Sequence, residues 1–193
     1  MPDYQDEKPV SWYNEYYSKP LLQLHYTNSP RRFLWEIIAY RILSEHPTPK
    51  YVLDLGCGCA ELGNILHDQG LKNYIGIDYS QTAIGIGNSF IPSYYCLIHG
   101  DLKTVVFPDN CTYITIIEVL EHIKDDISIL ERIKKNTVVY LSVPSFKADS
   151  HVRYFKNKHE VISRYGTLFV NFDITSYYIN PISKIYLLRG IKK

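Results

Sequence analysis

A short apolar run that ends in a carboxylate and turns on two glycines constrains this chain more than any other feature. It reads Tyr51-Val-Leu-Asp-Leu-Gly-Cys-Gly-Cys-Ala-Glu-Leu-Gly63. Residues 51–55 have the composition of a parallel strand buried on both faces. Gly56 and Gly58 follow at once, and Glu61 to Gln69 then reads as a helix closed by Gly70. Strand, glycine turn and helix in succession bring backbone N–H groups close to a nucleotide-like ligand. A second apolar run, Ile75-Gly-Ile-Asp78, places another carboxylate 24 positions after Asp54 (78 − 54). In such folds an acid at the end of the second strand accepts hydrogen bonds from ribose hydroxyls.

The rest of the chain continues the alternation. Residues up to about Asn28 form an aromatic lead-in with little clean periodicity. Ser29 to Leu43 reads as a helix, with Ser29 as its cap, Pro30 in its first turn and Leu34, Ile38 and Ile42 on one face. His46-Pro-Thr-Pro49 ends it. Beyond residue 70 the pattern predicts strands at 74–77, 94–98, 112–117 and 137–143, and helices from Ser80, over Asp126 to Lys135, and near Lys158 to Tyr165. Two last strands, 167–172 and 184–188, are joined by too few residues for a crossover helix, so they pair antiparallel. The expected fold is α/β, a doubly wound and mostly parallel seven-stranded sheet with an antiparallel end and helices on both faces. The reading is one domain over residues 1–193, with 1–49 as an aromatic and helical cap.

Two further segments narrow the ligand. His99-Gly-Asp101-Leu102 follows the third apolar stretch, and Tyr113-Ile-Thr-Ile-Ile117 runs into Glu118-Val-Leu-Glu-His-Ile123. The four segments, in this order, closely resemble the class I S-adenosylmethionine-dependent methyltransferases, from about Tyr51 to Phe155. The resemblance implies a Rossmann-like fold and S-adenosylmethionine as cofactor. It implies that Gly56 and Gly58 pass under the methionine part, with Asp54 and Cys57 in the same cradle. It sets Asp78 on the ribose with Tyr79 beside it, Asp101 at the adenine amino group, Leu102 against the ring and Glu118 along the cofactor. The family's third glycine is replaced by Ala60, and Tyr113 stands where the family often carries an acid, so no role is carried over there. Charge agrees with this reading. Glu61 at the helix start would repel a pyrophosphate, whereas the sulfonium and amino groups of S-adenosylmethionine are cationic.

Composition excludes little else. With 193 residues, 46% apolar and 21% charged, the chain is ordinary for a globular domain. There is no apolar run of membrane-spanning length, and the acidic start Met-Pro-Asp-Tyr-Gln-Asp-Glu does not read as a secretory signal, so a cytoplasmic location is expected. The spacing of Cys57 and Cys59 fits neither a zinc knuckle nor a redox motif. The net charge of +1 is unevenly spread. Residues 146–193 hold nine Lys or Arg against three Asp or Glu, and residues 51–145 hold six against eleven. A basic rim of that kind suits an anionic acceptor.

Chemistry in such sheets sits beyond the carboxyl ends of the strands. Glu118, Glu121 and His122 are expected within about one helical turn, with His122 as the base that takes a proton from the acceptor. Ser150-His-Val-Arg-Tyr-Phe155 offers His151 and Arg153 to substrate, Arg153 as a grip for a carboxylate or phosphate. Tyr13 and Tyr17 are expected over the cleft beside the substrate. The favoured reading is methyl transfer to an O or N nucleophile of a small molecule, with no metal, no membrane partner, and a monomer or homodimer. Nucleic acid comes second. Glu118, Glu121, His122 and His151 resemble the metal-ligand set of the small-RNA 3′-terminal 2′-O-methyltransferases, in which a divalent cation binds both ribose hydroxyls of an RNA end. A non-catalytic cofactor-binding subunit is the alternative of another class.

Overall fold

The computed structural model describes residues 4–23, 25–29, 32–45 and 51–193. Pro30 and His46 to Pro49, assigned above to a helix start and a helix end, lie outside the described residues. The chain forms two compact units, Pro9–Tyr113 and Met1–Lys8 with Ile114–Lys193.

The first unit opens with helix α1, Val10–Tyr17, and helix α2, Arg32–Glu45. It continues through β1 (Val52–Leu55), α3 (Glu61–Asp68), β2 (Tyr74–Asp78), α4 (Gln81–Gly87) and β3 (Cys96–His99) to the start of β4 (Tyr113–Ile116). β1 pairs parallel with β2, and β2 with β3. Every residue of β1 is buried, as the unbroken apolar run required. Leu34, Ile38 and Ile42 are buried along α2, the face that their spacing predicted. Ser80 caps α4, its hydroxyl accepting from Ala83 N–H at 3.2 Å. Helix α1 departs from the expected irregular lead-in. Its packing against the rest of the unit is aromatic and polar, and none of its residues is fully buried.

The second unit carries a 3₁₀ turn (Leu120–His122), α5 (Asp126–Glu131), β5 (Val138–Pro144), α6 (Lys158–Tyr165), β6 (Phe169–Tyr178) and β7 (Lys184–Lys192). α6 is fixed by a reciprocal cap. Asn157 Oδ1 accepts from Glu160 N–H at 3.1 Å, while Glu160 Oε2 accepts from Lys156 N–H at 2.6 Å. β7 pairs antiparallel with β6, as their short connection demanded, and also with β5. β6 runs six residues beyond its expected end, from 172 to 178, and is interrupted by a bulge between Val170 and Asp173, where Asn171 takes φ +48°.

The strands form one seven-stranded sheet in the order β3-β2-β1-β4-β5-β7-β6, mostly parallel with the antiparallel pairs at its end. This is the expected fold class.

Close packing in β2 makes a direct prediction. A Cβ on Gly76 would stand 2.7 Å from both Cys57 Sγ and Leu97 Cδ2, whereas one on the exposed helical Gly85 meets nothing within 4 Å. Gly76→Ala is therefore expected to cost ~1–3 kcal/mol by overpacking. Gly85→Ala should add ~0.5–1 kcal/mol by stiffening the helix. Urea midpoints of the two variants check both signs.

Candidate active site

In the unit Pro9–Tyr113 the turn after β1 is built to leave room. Gly56 and Gly58 take φ of +77° and +54°, a region open to glycine at no cost. Gly56 and Cys57 both donate their N–H groups to Ile77 O, at 2.7 and 3.0 Å. Ala60 also takes a left-handed φ, +60°, at the start of α3, so the position of the family's third glycine keeps its backbone shape with a methyl group in place.

Asp78 ends β2 and is 6% exposed. Its Oδ2 accepts from Gly58 N–H and its Oδ1 from Ser80 N–H, both at 2.8 Å. A carboxylate has about four lone-pair directions, so two remain for the hydroxyls of a ribose. Burial pushes the Asp78 carboxyl above its ordinary value, and the two N–H groups pull the other way.

α1 covers this turn. Tyr17 sets its hydroxyl 3.0 Å from where a Gly58 Cβ would stand. Tyr13 meets Tyr79 edge-on at 6.2 Å, and Asn14 Oδ1 accepts from Ser80 Oγ at 2.7 Å and Thr82 N–H at 3.3 Å. Tyr13 and Tyr17, expected at the substrate, thus stand with the cofactor residues. The turn, the buried carboxylate and the covering helix fit the methionine and ribose parts of S-adenosylmethionine. Asp54 accepts from Tyr74 Oη at 2.7 Å and ties β1 to β2. The Cys57 thiol packs against Gly76 and is pushed well above its ordinary pKa by burial, so it is inert. Asp101 Oδ1 accepts from Lys103 N–H at 2.9 Å, and Leu102 is buried beside it.

The unit with residues 114–193 gathers a different chemistry. Glu118 does not share a helical turn with His122 as expected. It takes φ +57° after β4, and its Oε1 accepts at 2.7 Å from Ser142 Oγ, which itself accepts from Glu118 N–H. A side chain held in the left-handed region is strained, and such strain persists where the surroundings over-determine it. Glu121 follows on the 3₁₀ turn with its carboxylate fully buried and no hydrogen-bond partner for either oxygen among the described residues. Burial first, then the neighbouring Glu118 charge, raises its pKa well above the usual carboxylate value.

Two imidazoles stand beside that carboxylate. His122 Nε2 lies 3.7 Å from Glu121 Oε1, and its ring centroid is 5.0 Å from that of His151. Donor atoms of Glu121, His122 and His151 all lie within 4.8 Å of one another. Each ring meets a backbone carbonyl through Nδ1, His122 on Ser150 O at 2.9 Å and His151 on Phe146 O at 3.1 Å. A carbonyl only accepts, so both Nδ1 atoms carry hydrogen, and a neutral ring then keeps its lone pair on Nε2. Burial lowers the pKa of His151 and favours the neutral ring that a metal needs.

The comparisons bear on the family and the fold. A family model described as a methyltransferase domain matches residues 26–171. The chain belongs to this methyltransferase family. Its cofactor is S-adenosylmethionine, and the chain is an S-adenosylmethionine-dependent methyltransferase. No curated protein sequence matches the chain. Solved structures share the fold at low identity. The small RNA methyltransferase HEN1 superposes with a TM-score of 0.65 at 17% identity, covering 82% of this chain and 25% of that one. The methyltransferase therefore spans a quarter of that protein's length. The methyltransferase domain of bacterial CtHen1-C gives 0.58 at 16%, covering 85% and 98%. Magnesium protoporphyrin IX methyltransferase from Synechocystis PCC 6803, solved with S-adenosylhomocysteine, gives 0.63 at 16%, covering 85% and 84%.

One expected substrate contact is corrected. Arg153 is fully buried, with its guanidinium directed at the backbone carbonyls of residues 120, 123 and 124 and at Asp126. It has no surface to offer an acceptor. Sequence reasoning also missed Asn14 and Gln5. Gln5 Nε2 donates to Ala148 O, Asp149 O and His151 O, and Tyr4 N–H to Val152 O, so residues 4 and 5 brace the His151 segment. Nothing local in Tyr4-Gln5 signals partners more than 140 positions away. Among the described residues no helix is long and apolar enough to cross a membrane.

Asp78→Ala removes the anchor of the glycine turn together with the carboxylate expected at the ribose. S-adenosylhomocysteine affinity by calorimetry should fall by ~1.5–3 kcal/mol, and an unchanged value in the folded variant would remove Asp78 from the site. A raised carboxyl pKa means that the folded state holds the Asp78 proton more firmly than the unfolded chain. Its contribution to stability is full at pH below the ordinary carboxylate value and is lost as pH rises through the raised one. Asp78→Asn cannot titrate, so it should gain on the wild type in urea midpoint across that window. A constant difference would contradict the raised value.

Proposed function

We propose that the chain methylates a hydroxyl of a vicinal diol held by a divalent cation at Glu121, His122 and His151, the acceptor being the 3′-terminal ribose of an RNA. One observation carries this reading: a fully buried carboxylate, with no hydrogen-bond partner among the described residues, stands with two imidazoles so that one ligand atom of each residue lies within 4.8 Å of the others. Leaving such a carboxylate without a partner is costly, and a cation is the partner that this donor set suits. Carbonyls orienting each ligating imidazole through its other nitrogen are the usual support of a metal site. Exposed Lys147, Lys156 and Lys158 follow or flank His151 in sequence and favour an anionic acceptor. Two of the structural relatives named above are an RNA methyltransferase and a Hen1 methyltransferase domain, which supports the same choice.

S-adenosylmethionine would supply an electrophilic methyl on a sulfonium sulfur; as the O–CH₃ bond forms the S–CH₃ bond breaks, S-adenosylhomocysteine leaves as the thioether, and the hydroxyl proton passes to solvent water. Asp78 orients the ribose end of that donor, and the glycine turn gives its methionine end a close backbone surface. The cation, when bound, lowers the pKa of a hydroxyl that it coordinates. Glu121, His122 and His151 would hold it. Glu118, kept at Ser142, adds negative charge next to Glu121.

A second reading keeps a small-molecule acceptor and makes His122 the base. It is favoured by the 18% exposure of the His122 side chain and by the porphyrin methyltransferase among the relatives. One experiment separates the two. Oligoribonucleotides ending in a 2′,3′-diol or in a 2′-deoxynucleotide are incubated with S-adenosylmethionine and Mn²⁺ or EDTA, and methyl gain is read by mass. The proposal expects methylation of the diol end alone, abolished by EDTA and by Glu121→Ala. No methylation of either RNA, with EDTA-insensitive turnover of a small acceptor and a kcat lowered ~10²–10⁴-fold in His122→Ala, would replace it by the second reading.

A further inference from the structure

We propose that Arg153 is a positioning residue for the Glu121–His122–His151 cluster, its buried guanidinium fixing the turn that carries Glu121 and His122. The inference deepens the proposed cation site and rests on that reading for its chemical meaning. A three-residue 3₁₀ turn makes few bonds of its own, here His122 N–H to Val119 O at 3.0 Å and Ile123 N–H to Leu120 O at 3.3 Å. Its other carbonyls are met from one short stretch. Arg153 Nη1 donates to Leu120 O at 2.7 Å and to Ile123 O, and Nη2 donates to Lys124 O at 2.8 Å. Glu121 O accepts from the N–H groups of Val152 and Arg153, at 2.7 and 3.3 Å. The planar fork of a guanidinium reaches several carbonyls in fixed directions, which a single ammonium cannot.

The charge is itself held. Asp126 is fully buried, lies 3.1 Å from Arg153 Nη1, and accepts from Arg164 Nε at 2.9 Å, Arg164 Nη2 at 2.5 Å and Tyr165 Oη at 2.6 Å. A buried charge persists only when paired and hydrogen-bonded, and these groups pair it. Arg153 also lies two positions after His151, so one segment carries one imidazole and ties down the backbone of the other. His122 closes the arrangement by donating Nδ1–H to Ser150 O. Release of the guanidinium frees the turn, and with it the choice of ring nitrogen that His122 turns to Glu121.

The test is made on metal-free protein carrying ¹⁵N-histidine, in wild type, Arg153→Lys and Asp126→Asn. Long-range ¹H–¹⁵N correlations report which ring nitrogen of each histidine carries hydrogen. The wild type should show His122 as the Nδ1–H form. Arg153→Lys should show a tautomer mixture or broadened His122 signals, with S-adenosylhomocysteine affinity unchanged. Unaltered His122 signals in folded Arg153→Lys would overturn the inference. So would a joint loss of those signals and of cofactor affinity, which marks a general loss of fold. Should Arg153→Lys not fold, Asp126→Asn keeps the Tyr165 bond, loosens the ion pair, and is judged by the same two criteria. Co²⁺ titration of the same samples tests the underlying reading separately. Wild type should bind it, and Arg153→Lys should bind it ~10–100-fold more weakly. Wild type that takes up no Co²⁺ would remove the cation site, while the tautomer result would still decide the role of Arg153.

Discussion

Two backbone N–H groups on one buried carboxylate hold the nucleotide end of this protein together. Asp78 takes Gly58 N–H on one oxygen and Ser80 N–H on the other, joining the turn after β1 to the start of α4. Everything described around the cofactor follows from that junction. The glycine turn keeps its open shape because Gly58 is anchored, and Ser80 is placed to cap α4 and to meet Asn14 of α1. A carboxylate buried to that degree would be expensive without such donors, and charge-assisted bonds to N–H groups are among the stronger ones available.

The two ends of the chemistry handle a buried acid in opposite ways. Asp78 is satisfied by its own backbone before any ligand arrives. Glu121 has no hydrogen-bond partner among the described residues, and two imidazoles stand beside it with ligand atoms within 4.8 Å. The first arrangement secures a fold, and the second leaves both carboxylate oxygens without a hydrogen bond among the described residues. Arg153 and Asp126 show a third solution, in which opposite buried charges satisfy each other and spend the remaining donors on backbone carbonyls.

How far the sequence could be read depended on whether the cause of each feature was local. β1, the glycine turn, α3 and β2 were legible because burial of a parallel strand and the needs of a tight turn are written in adjacent residues. The antiparallel ending followed from connection length alone. α1 was not legible: it lacks a buried face and leans on aromatic rings and on Asn14, whose partners lie 66 and 68 positions away. Arg153 was misread for a related reason. A lone arginine in a loop resembles a surface grip, and its carbonyl partners, 29 to 33 positions earlier, leave no local trace. Of the site, the residue types at Glu121, His122 and His151 were visible. The left-handed backbone at Glu118 was not, since a non-glycine residue in that region is set by its surroundings.

The bulge in β6 has a consequence for how copies of this chain meet. β6 closes one side of the sheet, and an outermost strand offers a row of peptide groups that a neighbour could zip onto. Between Val170 and Asp173 that row loses its regular spacing, and Asn171 turns its backbone out of the extended form. A visiting strand would lose register after a few peptide units. The irregularity thus works against strand addition along that edge.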